Sequence, residues 1–240
     1  MKTVGIIGGT SWHSTIEYYR LINQLVGDQK GDHSSAPMVI NSVNFEPIVT
    51  AFEKGDWDFI SRTLVAKRDE LISAGVEAFA LATNTLHKVA GKLEENSSIP
   101  LLHIVDSVAN SFLNSTNRKA LLLGTRFTMS DNFFQSRLAT KGMVAMVPSV
   151  KYQEKIDRII FEELVHGRAR EESKKFFSEL VNEEAKAHEV EDVILGCTEL
   201  SMVLDKSNCR HRLHDTAQIH AKSIAAVSYT HLTLPTSPHV

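Results

Sequence analysis

Short apolar runs alternate with amphipathic, helix-length segments along most of the chain. The apolar runs have the length of buried strands and occupy residues 3–7, 38–43, 78–82, 101–105, 120–123, 143–147 and 193–195. The segments between them place apolar residues three and four positions apart and include residues 14–26, 57–74, 84–95, 155–166 and 171–187. This alternation predicts an α/β fold of parallel sheets with helices on both faces.

An internal repeat indicates that the chain has two halves of like build. Residues 76–85, VEAFALATNT, align without gaps on residues 190–199, VEDVILGCTE, at an offset of 114 residues. Residues 4–10, VGIIGGT, align on residues 120–126 at nearly the same offset. Two such pairs at a common offset predict two pseudo-symmetric domains, each a short parallel β-sheet flanked by helices.

We assign residues 1–106 with residues 212–226 to a first domain and residues 107–211 to a second. Open parallel sheets bind ligands beyond the carboxyl ends of their strands, so we expect the active site in the cleft between the two domains. The segment 227–240, VSYTHLTLPTSPHV, has no acidic residue, Lys or Arg and no helical periodicity. It is interpreted as a foreign or read-through tail, with a short terminal strand as the alternative.

Composition favours a small-molecule partner. The 240 residues hold 26 Lys and Arg against 29 Asp and Glu, so no basic excess is available to neutralise nucleic acid. Apolar runs fall short of the roughly 18 residues of a membrane span, and no signal peptide is recognised. The two cysteines, Cys197 and Cys209, are too close in sequence for a typical structural disulfide, which predicts free thiols and a cytoplasmic location.

The candidate catalytic residues lie at the ends of two predicted strands. The repeat sets Thr83 opposite Cys197, and each comes at the end of an apolar run and before a helix-length segment. Helix starts present free backbone N–H groups, which bind carboxylates and lower the pKa of a nearby thiol. We therefore expect an anionic substrate between two proton-transfer groups. A buried, inert small side chain is the alternative for Cys197.

Other polar motifs have structural interpretations. Cys209, His211 and His214 imitate a metal site, but nothing nearby completes a ligand set, so a polar surface loop and no metal are predicted. His87 and His220 lie on predicted helices and are interpreted as packing or supporting groups.

The glycines near the start of the chain do not predict a nucleotide cofactor. Gly5, Gly8 and Gly9 lack the spacing of a dinucleotide-binding fold, and a P-loop lysine is absent. Ser14 and Glu17 follow at the spacing of a capping box.

Six segments, in order, resemble the aspartate/glutamate racemase family. They are GIIGGTSWHST (residues 5–15), ATNTLHKVA (82–90), LLGTRFTM (122–129), IIFEELVHG (159–167), GCTEL (196–200) and DTAQIHA (215–221). The resemblance implies an isomerase with a cleft between two pseudo-symmetric α/β domains, a small-molecule amino-acid substrate, no cofactor and usually a homodimer. It also implies that the two strand-end residues are the acid and the base.

The sequence departs from the usual family pattern at Thr83, where cysteine is typical. This resembles the subgroup specific for L-aspartate and L-glutamate, which turns over from the L to the D form. A thiol titrates near pH 8.5, whereas a threonine hydroxyl is a far weaker acid. Cys197 is therefore expected to remove the α-proton and Thr83 to return one to the opposite face, and the reverse direction is expected to be slow.

Binding residues are predicted from their places beside these strand ends. Thr10, Asn84, Thr85 and Thr198 are expected to bind the substrate, chiefly as donors to its α-carboxylate, where charge builds up. Asn84 is equally interpreted as a helix N-cap, a compatible role.

A side-chain carboxylate would need a cation. Aspartate racemases commonly keep an arginine in the loop after the second strand, but residues 44–52 hold no basic residue. His166, which we include among the predicted binding residues, and Arg126 or Arg168 are the substitutes. A broader or neutral amino-acid substrate stays open.

Two other functions fit parts of the pattern. A decarboxylase resembling arylmalonate decarboxylase would use the single Cys197 to protonate a carbanion after loss of CO2. A non-catalytic amino-acid-binding protein would follow if loss of the first cysteine had abolished turnover, and it would show ligand-dependent stabilisation without reaction.

Overall fold

The computed structural model describes residues 1–31, 33–113 and 117–229 and divides the chain into two compact units. The first unit contains Met1–Ala82, Val89–Leu102 and, of the described residues at the end of the chain, residues 221–229. The second contains Thr83–Lys88 and His103–His220. The chain passes from one unit to the other four times, so residues distant in sequence come together within each unit.

The first unit is built on a three-stranded parallel sheet of order β2-β1-β3. Its strands are β1 (Val4–Gly8), β2 (Met38–Ser42) and β3 (Ala78–Leu81). Its helices are α1 (Trp12–Lys30), α2 (Phe45–Glu53), α3 (Trp57–Ser73) and α4 (Ala90–Glu94).

Side-chain caps start the long helices of this unit. The Ser11 hydroxyl accepts a hydrogen bond from the Ser14 N–H at the start of α1, and Asp56 does the same for Phe59 at the start of α3. The capping box expected at Ser14 and Glu17 is therefore wrong: the cap lies three residues earlier, and Glu17 pairs with Arg20 instead.

The second unit is built on a four-stranded parallel sheet of order β5-β4-β6-β7. Its strands are β4 (Lys119–Leu123), β5 (Val144–Met146), β6 (Asp192–Leu195) and β7 (Arg212–Asp215). Its helices are α5 (Ile104–Ser111), α6 (Arg126–Ser130), α7 (Asn132–Thr140), α8 (Val150–Glu162), α9 (Glu171–His188) and α10 (Thr216–Tyr229), which continues into the first unit. Short 3-10 helices occupy Thr85–Val89, Leu164–His166 and Thr198–Met202.

Both faces of the second sheet are buried, as the continuous apolar runs predict. Leu121 and Leu123 of β4 pack in one cluster with residues of α8 and α9. Ala120 and Leu122 point the other way and pack with residues of α5 and α7. The predicted α/β class, with two parallel sheets flanked by helices, is confirmed.

The hydrogen-bonded register matches the internal repeat. Ile7 of β1 pairs with Leu81 of β3, and Leu123 of β4 pairs with Leu195 of β6. One residue later in each half, the Ala82 N–H donates to Ile7 O and the Gly196 N–H donates to Leu123 O. Each strand end that carries a predicted catalytic residue is thus built in the same way.

Three details differ from the sequence interpretation. Residues 101–105 are not a strand: only Leu101 bridges Phe79, and α5 begins at Ile104. The strand β7 was not predicted, because its sequence RLHD has no apolar run. Since β7 pairs with β6, residues 212–215 belong to the second sheet and not with residues 1–106.

The predicted tail, residues 227–240, begins inside a helix. α10 runs through Tyr229, so residues 227–229 are helical, and residues 230–240 lie outside the described part of the chain. Within the described residues, no helix combines the length and apolar character needed to cross a membrane.

Candidate active site

Cys197 lies two residues beyond the end of β6. Gly196 separates it from Leu195, and a Cβ at this glycine would lie 2.9 Å from the Leu123 carbonyl oxygen. Only glycine lets the two strand ends approach this closely. Cys197 is extended, with φ −142° and ψ 134°, and precedes the 3-10 helix Thr198–Met202.

The Cys197 thiol points at a carboxylate. Its Sγ lies 3.0 Å from Oε2 of Glu199, to which it donates, and the Thr198 hydroxyl donates to the same oxygen at 2.5 Å. All three side chains are partly buried. The Thr198 hydroxyl was expected to donate to a substrate carboxylate, but here its proton is directed to Glu199.

The environment of Cys197 favours the neutral thiol. Burial raises its pKa well above the ordinary value, and the negative charges of Glu199 and, more weakly, Asp157 add to the effect. The backbone N–H of Glu199, in the first turn of the following 3-10 helix, lowers this pKa as expected of a helix start, but burial and the Glu199 carboxylate outweigh it. Forming the thiolate therefore requires a proton acceptor at the site.

Thr83 stands at the equivalent end of β3 and belongs to the same compact unit as Cys197. Its carbonyl oxygen lies 2.8 Å from Nδ1 of His87. The other ring nitrogen, Nε2, accepts a hydrogen bond from the Ile104 N–H at 3.3 Å. The two partners fix the neutral tautomer of His87 with its proton on Nδ1.

Asn84 connects the two strand ends through a hydrogen-bond chain. Its Nδ2 donates to the Thr216 hydroxyl at 3.0 Å, and this hydroxyl donates to the Leu195 carbonyl at 2.8 Å. Because the Thr216 proton is used at Leu195, only the amide NH2 of Asn84 can face Thr216. The Asn84 Oδ1 is then a buried acceptor, without a hydrogen-bond partner among the described residues.

Thr85 and His166, also predicted to bind substrate, lie on short 3-10 helices of the second unit. Thr85 opens Thr85–Val89 and is partly buried. His166 ends Leu164–His166 and is exposed, although this helix packs against Thr198–Met202. Arg126 and Arg168, the other possible cations, are exposed as well.

Thr10 belongs to the first unit, in the loop after β1. It is 7% exposed, and its hydroxyl has no hydrogen-bond partner within the described part of the chain. The preceding Gly9 has φ +87°, and a Cβ there would lie 2.3 Å from the Val43 carbonyl oxygen. This glycine is needed for close packing of the chain on itself.

The side chains of the Cys209 motif contact other groups of the protein. The Cys209 thiol lies near the carbonyl of His211, and His214 Nε2 is 2.8 Å from Oδ1 of Asp192. Among residues 1–31, 33–113 and 117–229, no three His, Cys, Asp or Glu side chains are arranged to hold a metal ion.

Residues 7–224 match the family model of the Asp/Glu/Hydantoin racemases. The chain belongs to this family. The broad-specificity amino-acid racemase RacX of Bacillus subtilis is 24% identical over 168 residues, which cover 70% of this chain and 72% of RacX. As an Asp/Glu/Hydantoin racemase family member, the protein is an isomerase, an amino-acid racemase that acts on a small molecule.

Solved structures of similar proteins share the fold over nearly the whole chain. A Yersinia pestis protein described as a candidate Asp/Glu racemase is 37% identical with a TM-score of 0.91, and the match covers 96% of this chain and 100% of that one. An aspartate racemase homologue from Pyrococcus horikoshii is 32% identical with a TM-score of 0.86, at the same coverage.

Two residues of this candidate site were not predicted from sequence. Glu199 comes two positions after Cys197, a spacing that could have indicated a proton acceptor for the thiol. Thr216 lies in the DTAQIHA segment, but nothing in its sequence context shows that it links Asn84 to Leu195, because the link depends on strand β7 and the turn into α10.

Proposed function

We propose that the protein converts L-aspartate or L-glutamate into the D form without a cofactor. In this proposal Cys197 removes the α-proton and a proton returns from the Thr83 side. The hydrogen bond from the Cys197 thiol to Glu199 is the observation that carries the proposal, because it supplies the proton acceptor that a high-pKa thiol needs.

The first steps transfer two protons at the second strand end. The Cys197 thiol gives its proton to Oε2 of Glu199 as the substrate binds. The resulting thiolate then takes the α-proton of the L enantiomer, and the electron pair of the broken C–H bond stays on the α-carbon. Cys197 is again a thiol, Glu199 is a carboxylic acid and the substrate is a carbanion.

The closing steps act on the opposite face of the carbanion. The Thr83 hydroxyl donates its proton to the α-carbon and gives the D enantiomer. The Thr83 alkoxide takes a proton from water, and the hydroxide that forms takes the proton held by Glu199. Every proton is accounted for, and the site returns to its starting state.

The repeat supports different roles for the two strand ends. Thr83 is equivalent to Cys197, and two positions later Thr85 is equivalent to Glu199. The first half therefore has neither the thiol nor the carboxylate that activates it. Proton abstraction by Thr83 is expected to be much slower than abstraction by Cys197.

This asymmetry has a thermodynamic limit. The two enantiomers have equal free energies in water, so kcat/KM for their interconversion must be the same in both directions. The difference between Cys197 and Thr83 is therefore expected to appear in the rate at which each enantiomer exchanges its α-proton with solvent, and not in kcat/KM for interconversion. Exchange from the L form needs Cys197 and Glu199 but not Thr83, whereas exchange from the D form needs Thr83.

Asn84 fits the substrate's α-ammonium group. Its Oδ1 is a buried acceptor with no hydrogen-bond partner among the described residues, and its NH2 is held by Thr216. An unmet buried acceptor costs about 1–3 kcal/mol, and a bound ammonium donor would recover this free energy. Thr10, Thr85 and His166 stay predicted binding residues of this substrate.

A wider substrate range is the second candidate. Its support is the similarity to RacX, whose name states broad specificity, together with the exposure of Arg126, His166 and Arg168. The test is a panel of L-aspartate, L-glutamate, L-alanine and L-serine, with the D products separated by chiral chromatography.

A matched pair of cysteine variants completes the test. Cys197→Ala is expected to lower product formation by at least about a thousandfold, the scale of a lost acid–base group. Cys209→Ala removes the other cysteine, which is buried beside His211, and is expected to retain activity. Activity retained in Cys197→Ala would refute the mechanism, and D-alanine formed as fast as D-aspartate would favour the wider range.

A further inference from the structure

The second unit buries three histidines near the Thr83 strand end. His87 is 2% exposed, His103 is 4% exposed and His220 is fully buried. The ring centroids of His87 and His103 are 4.5 Å apart. Fully buried histidines need hydrogen-bond partners, and the partners of His87 identify what it does.

His87 makes three hydrogen bonds around the turn that follows β3. Its ring Nδ1 donates to the Thr83 carbonyl at 2.8 Å, and its backbone N–H donates to the Asn84 carbonyl at 3.1 Å. Its Nε2 accepts from the Ile104 N–H at 3.3 Å. One residue thus ties the Thr83 turn to the first turn of α5.

The contact with α5 determines the protonation of His87. Ile104 is the first residue of α5, so its N–H has no partner within the helix. Nε2 must accept this hydrogen bond, which leaves Nδ1 to carry the proton and donate it to Thr83. Burial and the neighbouring rings of His103 and His220 lower the pKa of His87 well below its ordinary value, so the ring stays neutral.

The equivalent position in the other half has no imidazole. His87 corresponds to Ser201 under the repeat, and the Ser201 hydroxyl donates to the Thr198 carbonyl. Cys197 is held differently, through its thiol bond to Glu199. The His87 ring therefore bonds directly to the Thr83 strand end, whereas Cys197 at the other strand end is held by a different contact.

We propose that His87 is a positioning residue for the return of the proton: its neutral ring holds the Thr83 carbonyl against α5 and so fixes Thr83 for proton donation. This inference rests on the proposed function of Thr83. Misplacement of a reacting group by about 1 Å can lower a rate by about a hundredfold, so the effect is expected to be large.

Two rates measured together separate positioning from general damage. In D2O with L-aspartate, proton NMR reports deuterium entering the L substrate, and chiral chromatography reports inversion to the D product. His87→Gln keeps a group near the Nε2 position but loses the Nδ1 donor. It is expected to slow inversion by about tenfold or more, while exchange into the L form stays within about threefold.

Two further variants serve as controls. The shorter amide of His87→Asn can replace the Nδ1 donor to Thr83, so it is expected to bring the ratio of exchange to inversion back towards the wild-type value. In the protein, His103 Nδ1 accepts a hydrogen bond from the Val105 N–H at 3.1 Å. His103→Asn removes this neighbouring histidine, and the asparagine oxygen takes over as acceptor. Its ratio is expected to equal that of the wild type.

Each outcome decides a different point. Equal losses of exchange and inversion in His87→Gln would show a merely structural role and overturn the inference, as would a ratio in His87→Asn as high as in His87→Gln. If His87→Gln does not fold, His87→Asn alone decides the question. A ratio of exchange to inversion in His87→Asn that is tenfold higher than in the wild type then overturns the inference. A wild-type protein that shows no exchange from L-aspartate or L-glutamate would instead refute the proposed function.

Discussion

The Glu199 carboxylate accepts a hydrogen bond from the Cys197 thiol, with 3.0 Å between Sγ and Oε2. The same carboxylate raises the pKa of the thiol that it contacts, in addition to the effect of burial. Glu199 thus opposes a free thiolate at rest and accepts the thiol proton during the proposed reaction. Removing the Glu199 charge is therefore expected to increase the chemical reactivity of the Cys197 thiol but to decrease turnover, so the two effects can be measured separately.

Glu199→Gln is expected to lower kcat for racemisation by about a hundredfold or more, because the Cys197 proton loses its acceptor. Initial rates with L-aspartate, measured by chiral chromatography, check this. The control is Glu179→Gln, which changes an exposed carboxylate on α9 that pairs with Lys175. Equal rates in Glu199→Gln and Glu179→Gln would contradict the role of Glu199.

The same substitution is expected to increase alkylation of Cys197. Loss of the negative charge removes one of the two main causes of the raised pKa, so more thiolate is present at a given pH, although burial still raises the pKa. The measurement is the rate of iodoacetamide labelling between pH 7 and 9, located by peptide mass spectrometry. Slower labelling in Glu199→Gln than in the wild type would contradict this electrostatic account.

Thr216→Val is expected to destabilise the protein by about 1–3 kcal/mol, because the buried Leu195 carbonyl loses its donor and Asn84 loses its acceptor. KM for the amino acid is also expected to rise, since the Asn84 amide is no longer fixed. Urea denaturation and steady-state kinetics measure the two effects. Thr216→Ser keeps the hydroxyl and is expected to retain both properties; an equal loss in this variant would point to packing instead.

Acid is expected to destabilise the fold through its buried histidines. Burial lowers the pKa of His103 to about 2 and that of His87 in the same direction, while both titrate near pH 6.5 when unfolded. Below pH 6.5 the unfolded chain binds protons that the folded chain does not. Each of these histidines then lowers the free energy of unfolding by about 1.4 kcal/mol for every pH unit below 6.5.

Urea denaturation at pH 7 and pH 5 measures this dependence. His103→Asn keeps the helix cap without a titrating group, so its loss of stability between the two pH values is expected to be smaller by about 2 kcal/mol. An unchanged pH dependence in this variant would show that His103 is protonated in the folded protein.

The sequence was most informative where it repeats. The alignment of Thr83 with Cys197 follows from two strands of matching composition, and the register of Ile7 with Leu81 and of Leu123 with Leu195 agrees with it. Buried parallel strands and long amphipathic helices carry strong apolar patterns, so most of them were predicted. β7 was missed because its half-exposed side chains have no such pattern.

Contacts between side chains were predicted less well. His87 was correctly interpreted as a buried helix residue, but its bonds to Thr83 and Ile104 join segments whose approach no local pattern specifies. The prediction of a strand at residues 101–105 was wrong because a short apolar run has the same pattern in a strand and in the buried first turn of α5. Glu199 was adjacent to the predicted site and could have been included.

The most direct test of the account is the loss of the α-proton signal in D2O, followed by proton NMR on separate samples of the L and D enantiomers of aspartate and glutamate. With Cys197 as the base and Thr83 as a weak acid, exchange from an L form is expected to exceed exchange from the matching D form by about tenfold or more. Thr83→Cys is expected to reduce this difference by adding a second thiol. Equal exchange from both enantiomers in the wild type, or faster exchange from the D form, would contradict the assignment of Cys197 and Thr83.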